Sequence, residues 1–436
     1  MTLSGKVKNE ASSPSASMEG TLAFGGTTYL DGFASDPRKL EWMKGFPPSA
    51  RTQITFEGGR HLAFPEIRWS LSHMRELVPT VNVARSDGDG FTFNEPSAAD
   101  EAAVAALGFT DLNGRERRFD EALFDTYTDG IMVLHRGRVV FERYFGSLER
   151  KIQHACFSVT KSYAGTIATA LVHERVLEEG KTISYYVPEL RGTGWEDATL
   201  RQVLDMETGL DFDEDHVDDQ SRGAVYMRSC RTRSRPANYD GPQTSCEFLR
   251  TVRKRGEHGK VFSYKSVNTQ VVGWVMSRVT GCSFPQLLHD RLWAPLGCED
   301  DGYMVVDPAG MPSVSGGLYA SLRDMARFGE LIRQEGGWNG RQILPASVIA
   351  DIRRGGDQAK FSMNGMPGYS YRAKWWVSHN EFDAIEAQGI HGQRIYIAPR
   401  AEMVIAQFSS HPMASTVYTD AIIGPQTLEL ARFLGG

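Results

Sequence analysis

A serine and a lysine three residues apart, Ser158 and Lys161, form an S-x-x-K pattern at the start of a long apolar stretch with helical periodicity. Residues i and i+3 of a helix lie on the same face, so the lysine amine can reach the serine hydroxyl. A serine at a helix start also lies among free backbone N–H groups and at the positive end of the helix dipole. The pattern is short and recurs by chance, but in this context it suits a serine nucleophile activated by an amine.

Two further segments carry groups that such a nucleophile needs. Tyr264, Ser266 and Asn268 lie at the junction of a loop with a predicted helix, about one hundred residues downstream, where the phenol could be delivered beside the lysine. The stretch 389–392 is predicted to lie on the first strand of a C-terminal hairpin. An edge strand there would offer one N–H, which together with the Ser158 N–H would form a two-donor oxyanion hole.

Deprotonating the serine requires a base whose pKa is close to neutral. Free tyrosine and lysine titrate near ~10 and ~10.4, so either needs a shift of ~3 units, worth ~4 kcal/mol. Burial lowers the pKa of a lysine, and a neighbouring ammonium lowers that of a tyrosine. Lys161 and Tyr264 would then titrate as a coupled pair, so the identity of the resting base stays open.

The elements that must position these groups follow from apolar periodicity. Two apolar runs flank His135-Arg136-Gly137 and predict an antiparallel hairpin, and a second hairpin is predicted to turn at Pro399-Arg400. A helix is predicted from Ser158 to Glu179, ending at Gly180. A short helix is expected over 70–79.

Strands at both ends of the ordered chain, with helices between, predict an α/β (α+β) fold. It consists of an antiparallel sheet flanked by helices, with an inserted mainly helical domain. The expected organisation is a disordered tail at 1–25, an irregular N-terminal extension at 26–118, an α/β sheet domain at 119–194 and 311–436, and a helical domain at 195–310.

At these motifs the sequence resembles the serine β-lactamase and DD-peptidase superfamily, and most closely its branch of 6-aminohexanoate-dimer (nylon-oligomer) hydrolases and β-lactamase-like carboxylesterases. The resemblance runs from about residue 60 to the C-terminus and includes the phrases HACFSVTKSYAGT, VFSYKSVNTQVVGWVMSRVTG and GIHGQRIYIAP. It implies an active site between the two domains. It also implies that Ser158 is the nucleophile, that Lys161 and Tyr264 are the bases, and that Ser158 and Ile390 supply the oxyanion N–H groups.

One departure from the family pattern bears on the substrate. Relatives that act on β-lactams or D-alanyl peptides carry Lys-Thr-Gly or His-Thr-Gly on the strand before the last, where the cation holds the substrate carboxylate. Here the matching stretch is 387–390, without a cation at its first position, although Arg394 could supply charge from elsewhere. This favours esters or simple amides as substrates.

Several residues near the motifs are candidate substrate contacts. The acidic loop 211–216 lacks the glycine and glutamate of a calcium loop, and in the resembling hydrolases a corresponding loop lines the cleft, with a tyrosine at the position of His216. That difference argues against activity on nylon dimers. The expected substrate contacts are Ser266, Asn268, His391, Trp376, Glu214, His216 and Ser315; no metal ligand set and no cofactor is expected.

Composition narrows the remaining classes. The net charge is -6 over 436 residues without a basic stripe, which disfavours nucleic acid as a partner. The first residues lack a secretory apolar region, and no stretch reaches the ~18 apolar residues that span a bilayer. Five widely spaced cysteines without a C-x-x-C pair predict reduced thiols. A cytoplasmic enzyme is therefore expected, and a homodimer is left open.

The predicted function is a serine hydrolase that cleaves ester or amide bonds of a small molecule through an acyl-Ser158 intermediate. Amidase on a 6-aminohexanoate-like oligomer and general carboxylesterase are close alternatives. A β-lactamase or D-alanyl peptidase, an acyltransferase, and an acyl sensor that does not turn over are the others.

Overall fold

The computed structural model describes residues 20–24, 26–88, 90–215, 218–363 and 365–436. The strands are β1 Thr21–Phe24, β2 Thr27–Leu30, β3 Thr80–Val83, β4 Gly108–Thr110, β5 Glu116–Arg118, β6 Thr128–His135, β7 Arg138–Tyr144, β8 His154–Ala155, β9 Gly302–Val305, β10 Leu318–Ala320, β11 Gly337–Trp338, β12 Arg341–Gln342, β13 Ser370–Arg372, β14 Trp375–Val377, β15 Ile385–Gly389, β16 Gln393–Ala398 and β17 Met403–Ser409. The α-helices are α1 Pro37–Leu40, α2 Ile67–Ser70, α3 Ala98–Ala105, α4 Phe119–Asp125, α5 Val159–His173, α6 Ile183–Tyr186, α7 Leu200–Leu204, α8 Arg222–Ser229, α9 Ser245–Thr251, α10 Ser266–Thr280, α11 Phe284–Leu288, α12 Ala294–Leu296, α13 Leu322–Arg333, α14 Ala346–Arg354 and α15 Val417–Gly435.

The main sheet joins both ends of the chain. Its strand order is β13-β14-β15-β16-β17-β6-β7, and neighbouring strands are antiparallel. The central pairing sets Val133 of β6 opposite Ile405 of β17. This confirms the predicted α/β fold and its antiparallel sheet, and both predicted hairpins are present as β6-β7 and β16-β17.

Alternation along β6 buries both faces of this sheet. Ile131 and Val133 pack with residues of α4 and α15, whereas Met132 and Leu134 belong to the larger core that contains α5 and α13. Successive side chains of a strand point to opposite faces, so one apolar run can serve two helical layers. The sheet is therefore held rigidly behind α5, the helix that begins with the candidate nucleophile.

Two helix predictions are wrong in their bounds. The helix predicted to run to Glu179 ends at His173, because Arg175 adopts a positive φ of 61° and the Leu177 N–H bonds to the Leu171 carbonyl. This reversal buries Leu177 and leaves Val176 42% exposed. The single helix expected over 70–79 is instead α2 followed by a 3₁₀ turn at Met74–Glu76. The reason is local, since the side chains of Ser72 and His73 bond to the Trp69 carbonyl.

Residues 195–310 carry the short helices α7 to α12, together with β9. Strand β9 joins a four-stranded sheet of order β3-β9-β10-β8, so the segment before residue 118 is paired directly with later parts of the chain. Residues 1–19 and 25 of the expected tail lie outside the described residues, and Thr21–Phe24 forms a strand. The proposed domain boundaries stay predictions. Among the described residues, no helix combines the length and apolarity needed to cross a bilayer.

Candidate active site

Ser158 lies at the N-terminus of α5, directly after a sharp turn. Phe157, the residue before it, has a positive φ of 41°, which is unusual for a bulky side chain. The Ser158 hydroxyl makes no capping hydrogen bond to the helix. It is therefore available for chemistry rather than engaged in holding the helix end.

Lys161 lies one turn along α5 and is buried, with 1% of its surface exposed. Its Nζ is 2.7 Å from the Ser158 Oγ and donates to the Ser315 carbonyl at 2.6 Å. Burial lowers the pKa of Lys161 to about 8, against the attraction of the Glu214 carboxylate. Lys161 therefore loses its proton much more readily than a free lysine, and its neutral form can accept a proton from Ser158.

Tyr264 lies on the loop that leads into α10, and its ring is 5.1 Å from the Lys161 Nζ. The ring stacks on Trp376 at 5.5 Å between centroids, and Tyr371 meets it edge-on. Burial raises the pKa of Tyr264, although the Ser158 hydroxyl beside it acts in the opposite direction. The downward pKa shift expected for this tyrosine is therefore wrong, because burial and the nearby Glu214 carboxylate outweigh the hydrogen bond with Ser158. Tyr264 stays a protonated phenol.

The structure thus brings the three predicted catalytic side chains into one place. Their pKa values are displaced in opposite directions, the lysine downward and the phenol upward. Pairs of titratable groups whose pKa values are pushed apart are typical of acid and base partners. The geometry suits proton removal by Lys161 and proton donation by Tyr264.

The predicted oxyanion donor Ile390 lies just after β15, in the 3₁₀ turn Ile390–Gly392. The stretch 389–392 does not lie on the first hairpin strand as predicted, because Gly389 ends β15 and the turn precedes β16; β15 itself lies between β14 and β16. However, β14 pairs with β15 only as far as Glu386, so the end of β15 approaches α5. A Cβ atom at Gly389 would lie 2.8 Å from the Cys156 carbonyl oxygen and 3.1 Å from the Ser158 backbone nitrogen, which explains the glycine. Ile390 and Ser158 line the same cleft, and their oxyanion role stays a prediction.

A buried hydrogen-bond network holds the carbonyl that binds Lys161. The Gln270 side chain, on α10, accepts from the Val314 N–H at 3.0 Å and donates to the Pro312 carbonyl at 3.0 Å. Tyr226, on α8, contacts both the Gln270 Oε1 at 3.3 Å and the Ser315 Oγ at 2.9 Å. The loop 312–315 is thereby fixed, and with it the second acceptor of the lysine amine.

We expect Gln270→Leu to lower kcat by about tenfold or more, with a smaller effect on KM, because a displaced Ser315 carbonyl misaligns Lys161. The Val314 N–H and the Pro312 carbonyl would also lose the Gln270 amide and keep only their bond to each other, which should cost about 1–3 kcal/mol of stability. Steady-state kinetics and thermal unfolding measure both effects. Thr269→Val is the matched control, because the buried Thr269 hydroxyl has no hydrogen-bond partner among the described residues. An unchanged kcat in a folded Gln270→Leu protein would contradict the positioning role.

The predicted substrate contacts divide into two groups. Glu214, Ser266 and Ser315 line the cleft that contains Ser158, and the Glu214 carboxylate accepts hydrogen bonds from the N–H and the hydroxyl of Ser266. The Glu214 carboxylate, from the loop before α8, thus binds the start of α10 and places negative charge at the cleft.

The other predicted contacts do not line that cleft in the described structure. The buried Asn268 amide bonds to Thr208, Trp376 stacks behind Tyr264, and the His391 ring lies at the His411 carbonyl. His216 lies outside the described residues.

Sequence reasoning missed that one wall of this cleft is apolar. The cleft as a whole has a volume of about 120 Å³. Phe56, Leu62, Met74 and Val78 contribute to the apolar wall from the segment before the main sheet. No short motif marks these residues, and apolar side chains that line a cleft have the same sequence pattern as those in a core. The cleft is thus apolar on this wall and polar at Glu214 and Ser266.

Comparison with known proteins agrees with this geometry. A protein-family model described as Beta-lactamase matches residues 117–419. The 6-aminohexanoate-dimer hydrolase of Paenarthrobacter ureafaciens is 32% identical over 396 residues, which cover 89% of this chain and 96% of that protein. A solved structure from Bacillus anthracis, provisionally named a 6-aminohexanoate-dimer hydrolase, has a TM-score of 0.81 at 31% identity and covers 89% of this chain and 98% of its own. A family VIII carboxylesterase shares the fold at a TM-score of 0.57 and 17% identity, over 78% of this chain and 98% of its own.

Proposed function

This chain belongs to the Beta-lactamase family and is a serine hydrolase, and from that premise we propose that Ser158, Lys161 and Tyr264 cleave ester or linear amide bonds through an acyl-Ser158 intermediate. The observation that carries the assignment is the 2.7 Å contact between the Lys161 Nζ and the Ser158 Oγ. It joins a helix-terminal hydroxyl to an amine whose pKa burial lowers to about 8. Enzymes on this fold act on small molecules.

In the first half of the reaction, neutral Lys161 takes the Ser158 proton while the Oγ attacks the substrate carbonyl carbon. The carbonyl oxygen becomes an oxyanion, which the N–H groups of Ser158 and Ile390 stabilise. As the tetrahedral species collapses, the Tyr264 hydroxyl gives its proton to the leaving oxygen or nitrogen, and the proton held by Lys161 restores the phenol. An ester on Ser158 and the free alcohol or amine result.

Water then repeats the sequence in the second half. It loses a proton to Lys161, attacks the acyl carbon and displaces the Ser158 Oγ, which recovers its proton from Tyr264. The proton on Lys161 then passes to Tyr264, which restores both the neutral amine and the phenol. The carboxylic acid leaves, and every catalytic group is back in its starting state.

The distribution of positive charge supports esters and simple amides over D-alanyl peptides. Strand β15 carries no lysine or histidine. Arg394, the alternative cation on β16, is engaged with Asp420 at 2.6 Å and with Glu386 at 3.5 Å. Among the described residues that line the cleft, the basic side chains are Lys161 and Arg231. Arg231 follows α8, so it does not occupy the strand position at which D-alanyl peptidases carry their lysine or histidine.

The relatives named 6-aminohexanoate-dimer hydrolase point to a linear amide as one substrate to test. A panel of p-nitrophenyl butyrate, a 6-aminohexanoate dimer, a D-alanyl peptide and a β-lactam addresses the proposal. We expect sustained hydrolysis of the ester or the linear amide. A single burst of one product per chain would instead indicate an acyl sensor, and preferential transfer to an added amine would indicate an acyltransferase. Faster turnover of the peptide or lactam would contradict the substrate assignment.

The lowered pKa of Lys161 predicts the pH dependence. Only the neutral amine accepts a proton, so kcat/KM should rise about tenfold per unit below pH 8 and level off above an inflection near pH 8. The groups that face this amine are Tyr264, which stays protonated over this range, and Glu214, which raises the lysine pKa. Buried Lys374 also lies nearby, with its own pKa held well below the ordinary value.

Initial rates on an alkali-stable linear amide between pH 6 and 9.5 measure the profile. A flat profile, or an inflection near 6, would contradict Lys161 as the base.

Two broader expectations stay predictions. The five cysteines are free thiols in the described structure, which is compatible with the proposed cytoplasmic location. Fractionation of the source cells tests the location, and light scattering on the purified chain tests the homodimer.

A further inference from the structure

One wall of the cleft comes from a segment that precedes the family match. The match begins at residue 117, whereas Phe56, Leu62, Met74 and Val78 line the cleft beside Ser158. We call these four residues the N-terminal wall. All four are uncharged and apolar, so the wall offers a substrate only hydrophobic contact.

Buried polar contacts and strand pairing hold this wall in place. The Arg68 guanidinium, on α2, is buried against the Asp129 carboxylate at 3.0 Å and donates to the Gly32 carbonyl at 2.7 Å. The Ala155 N–H, just before the nucleophile turn, donates to the Leu71 carbonyl at 2.9 Å. Strand β3, which follows Val78, pairs with β9. The wall is thus fixed relative to Ser158 and forms a preorganised surface.

The packing of the two flanks of Ser158 indicates which part of a substrate the wall meets. Phe157, on one side of the nucleophile, packs against the apolar cluster that contains Met74 and Val78. Tyr264 packs against a different cluster, with Trp376. The leaving group must lie beside the proton donor Tyr264, so the acyl chain extends toward Phe157 and the wall.

We propose that the N-terminal wall is the acyl-chain site, and that it makes the enzyme selective for uncharged aliphatic acyl groups of several carbons. This inference rests on the proposed function, because it assumes an acyl group on Ser158. Each methylene that leaves water for such a wall contributes about a fourfold factor in kcat/KM. Without the wall, most of the preference for hexanoyl over acetyl esters should be lost.

The test compares kcat/KM for p-nitrophenyl acetate, butyrate, hexanoate and octanoate. We expect the unaltered enzyme to prefer hexanoate over acetate by at least about tenfold. Val78→Phe places a ring in the wall and should lower this ratio by about tenfold. Leu77→Phe is the matched control, because Leu77 packs against the same apolar cluster without lining the cleft. Its ratio should equal that of the unaltered enzyme.

Met74→Ala provides an independent variant that enlarges the site, and it should move the preference toward octanoate. If the ratios of folded Val78→Phe and Met74→Ala proteins match that of the unaltered enzyme, the inference is overturned while the hydrolase assignment stands. Hexyl acetate carries its six-carbon chain in the leaving group. If Val78→Phe lowered kcat/KM selectively for this ester, the acyl-side placement would be overturned. The absence of any Ser158-dependent hydrolysis would instead defeat the proposed function itself.

Discussion

Replacing Ser158 with alanine is expected to lower kcat by at least about 10⁴-fold on esters and linear amides, while leaving the fold intact. The loss follows because the Oγ is the atom that would carry the acyl group, and Lys161 and Tyr264 have no other hydroxyl to serve. Oxyanion contacts and binding alone retain only ~10³–10⁴ of rate acceleration over water in other serine hydrolases. Intact-mass measurement with a slowly deacylated ester should show the acyl adduct on the unaltered chain and none on Ser158→Ala.

The stability of this variant should change little. The Ser158 side chain does not cap α5, so its removal costs its contacts with Lys161 and Tyr264, about 1–2 kcal/mol in all. Ser162→Ala is a matched control on the same helix, because its buried hydroxyl donates to the Lys374 carbonyl, away from the cleft. Turnover retained in Ser158→Ala, or lost equally in both variants, would reject the nucleophile assignment.

The candidate catalytic set was accessible from sequence because the geometry of its first two members is local. Ser158 and Lys161 are three residues apart at a helix start, and that spacing alone brings the amine to the hydroxyl. Tyr264 was found through a motif at a loop–helix junction. The hairpins followed from pairs of apolar runs joined by short turns, because a short connection makes the two strands antiparallel.

The remaining features depend on contacts between distant segments. The end of α5 at His173 follows from the burial of Leu177, and no local signal distinguishes Leu177 from Val176. The raised pKa of Tyr264 arises from its burial and from the Glu214 carboxylate, which lies fifty residues earlier in the chain. The N-terminal wall could not be predicted from the sequence either. Apolar residues that line a cleft have the same sequence pattern as apolar residues in a core.

The opposite pKa shifts of Lys161 and Tyr264 assign different roles to two groups that the sequence could not separate. A buried amine with a pKa of about 8 serves as a base at little cost. A buried phenol with a raised pKa is a poor base in the free enzyme, but it can donate to a leaving group that develops negative charge. Some leaving groups need a proton in order to leave and others do not. Comparing the two kinds therefore tests whether Tyr264 donates that proton.

Tyr264→Phe is therefore expected to lower kcat/KM by ~10²–10⁴ on alkyl esters and linear amides, and by much less on p-nitrophenyl esters. Amines and alkoxides leave only when protonated, whereas p-nitrophenolate leaves as an anion. The phenylalanine ring can keep the stacking on Trp376, so the fold should persist. Kinetics on both classes of leaving group, with thermal unfolding as a check, measure the difference.

Tyr371→Phe is the matched control for this comparison. Its ring packs edge-on against Tyr264 and Trp376, in the same aromatic cluster, yet it does not line the cleft. We expect it to retain activity on both substrate classes. An equal loss on both classes in Tyr264→Phe would place the phenol in activating Ser158 rather than the leaving group, and a change confined to KM would reassign it to substrate binding. The leaving-group dependence thus distinguishes a proton donor from a residue that only shapes the cleft.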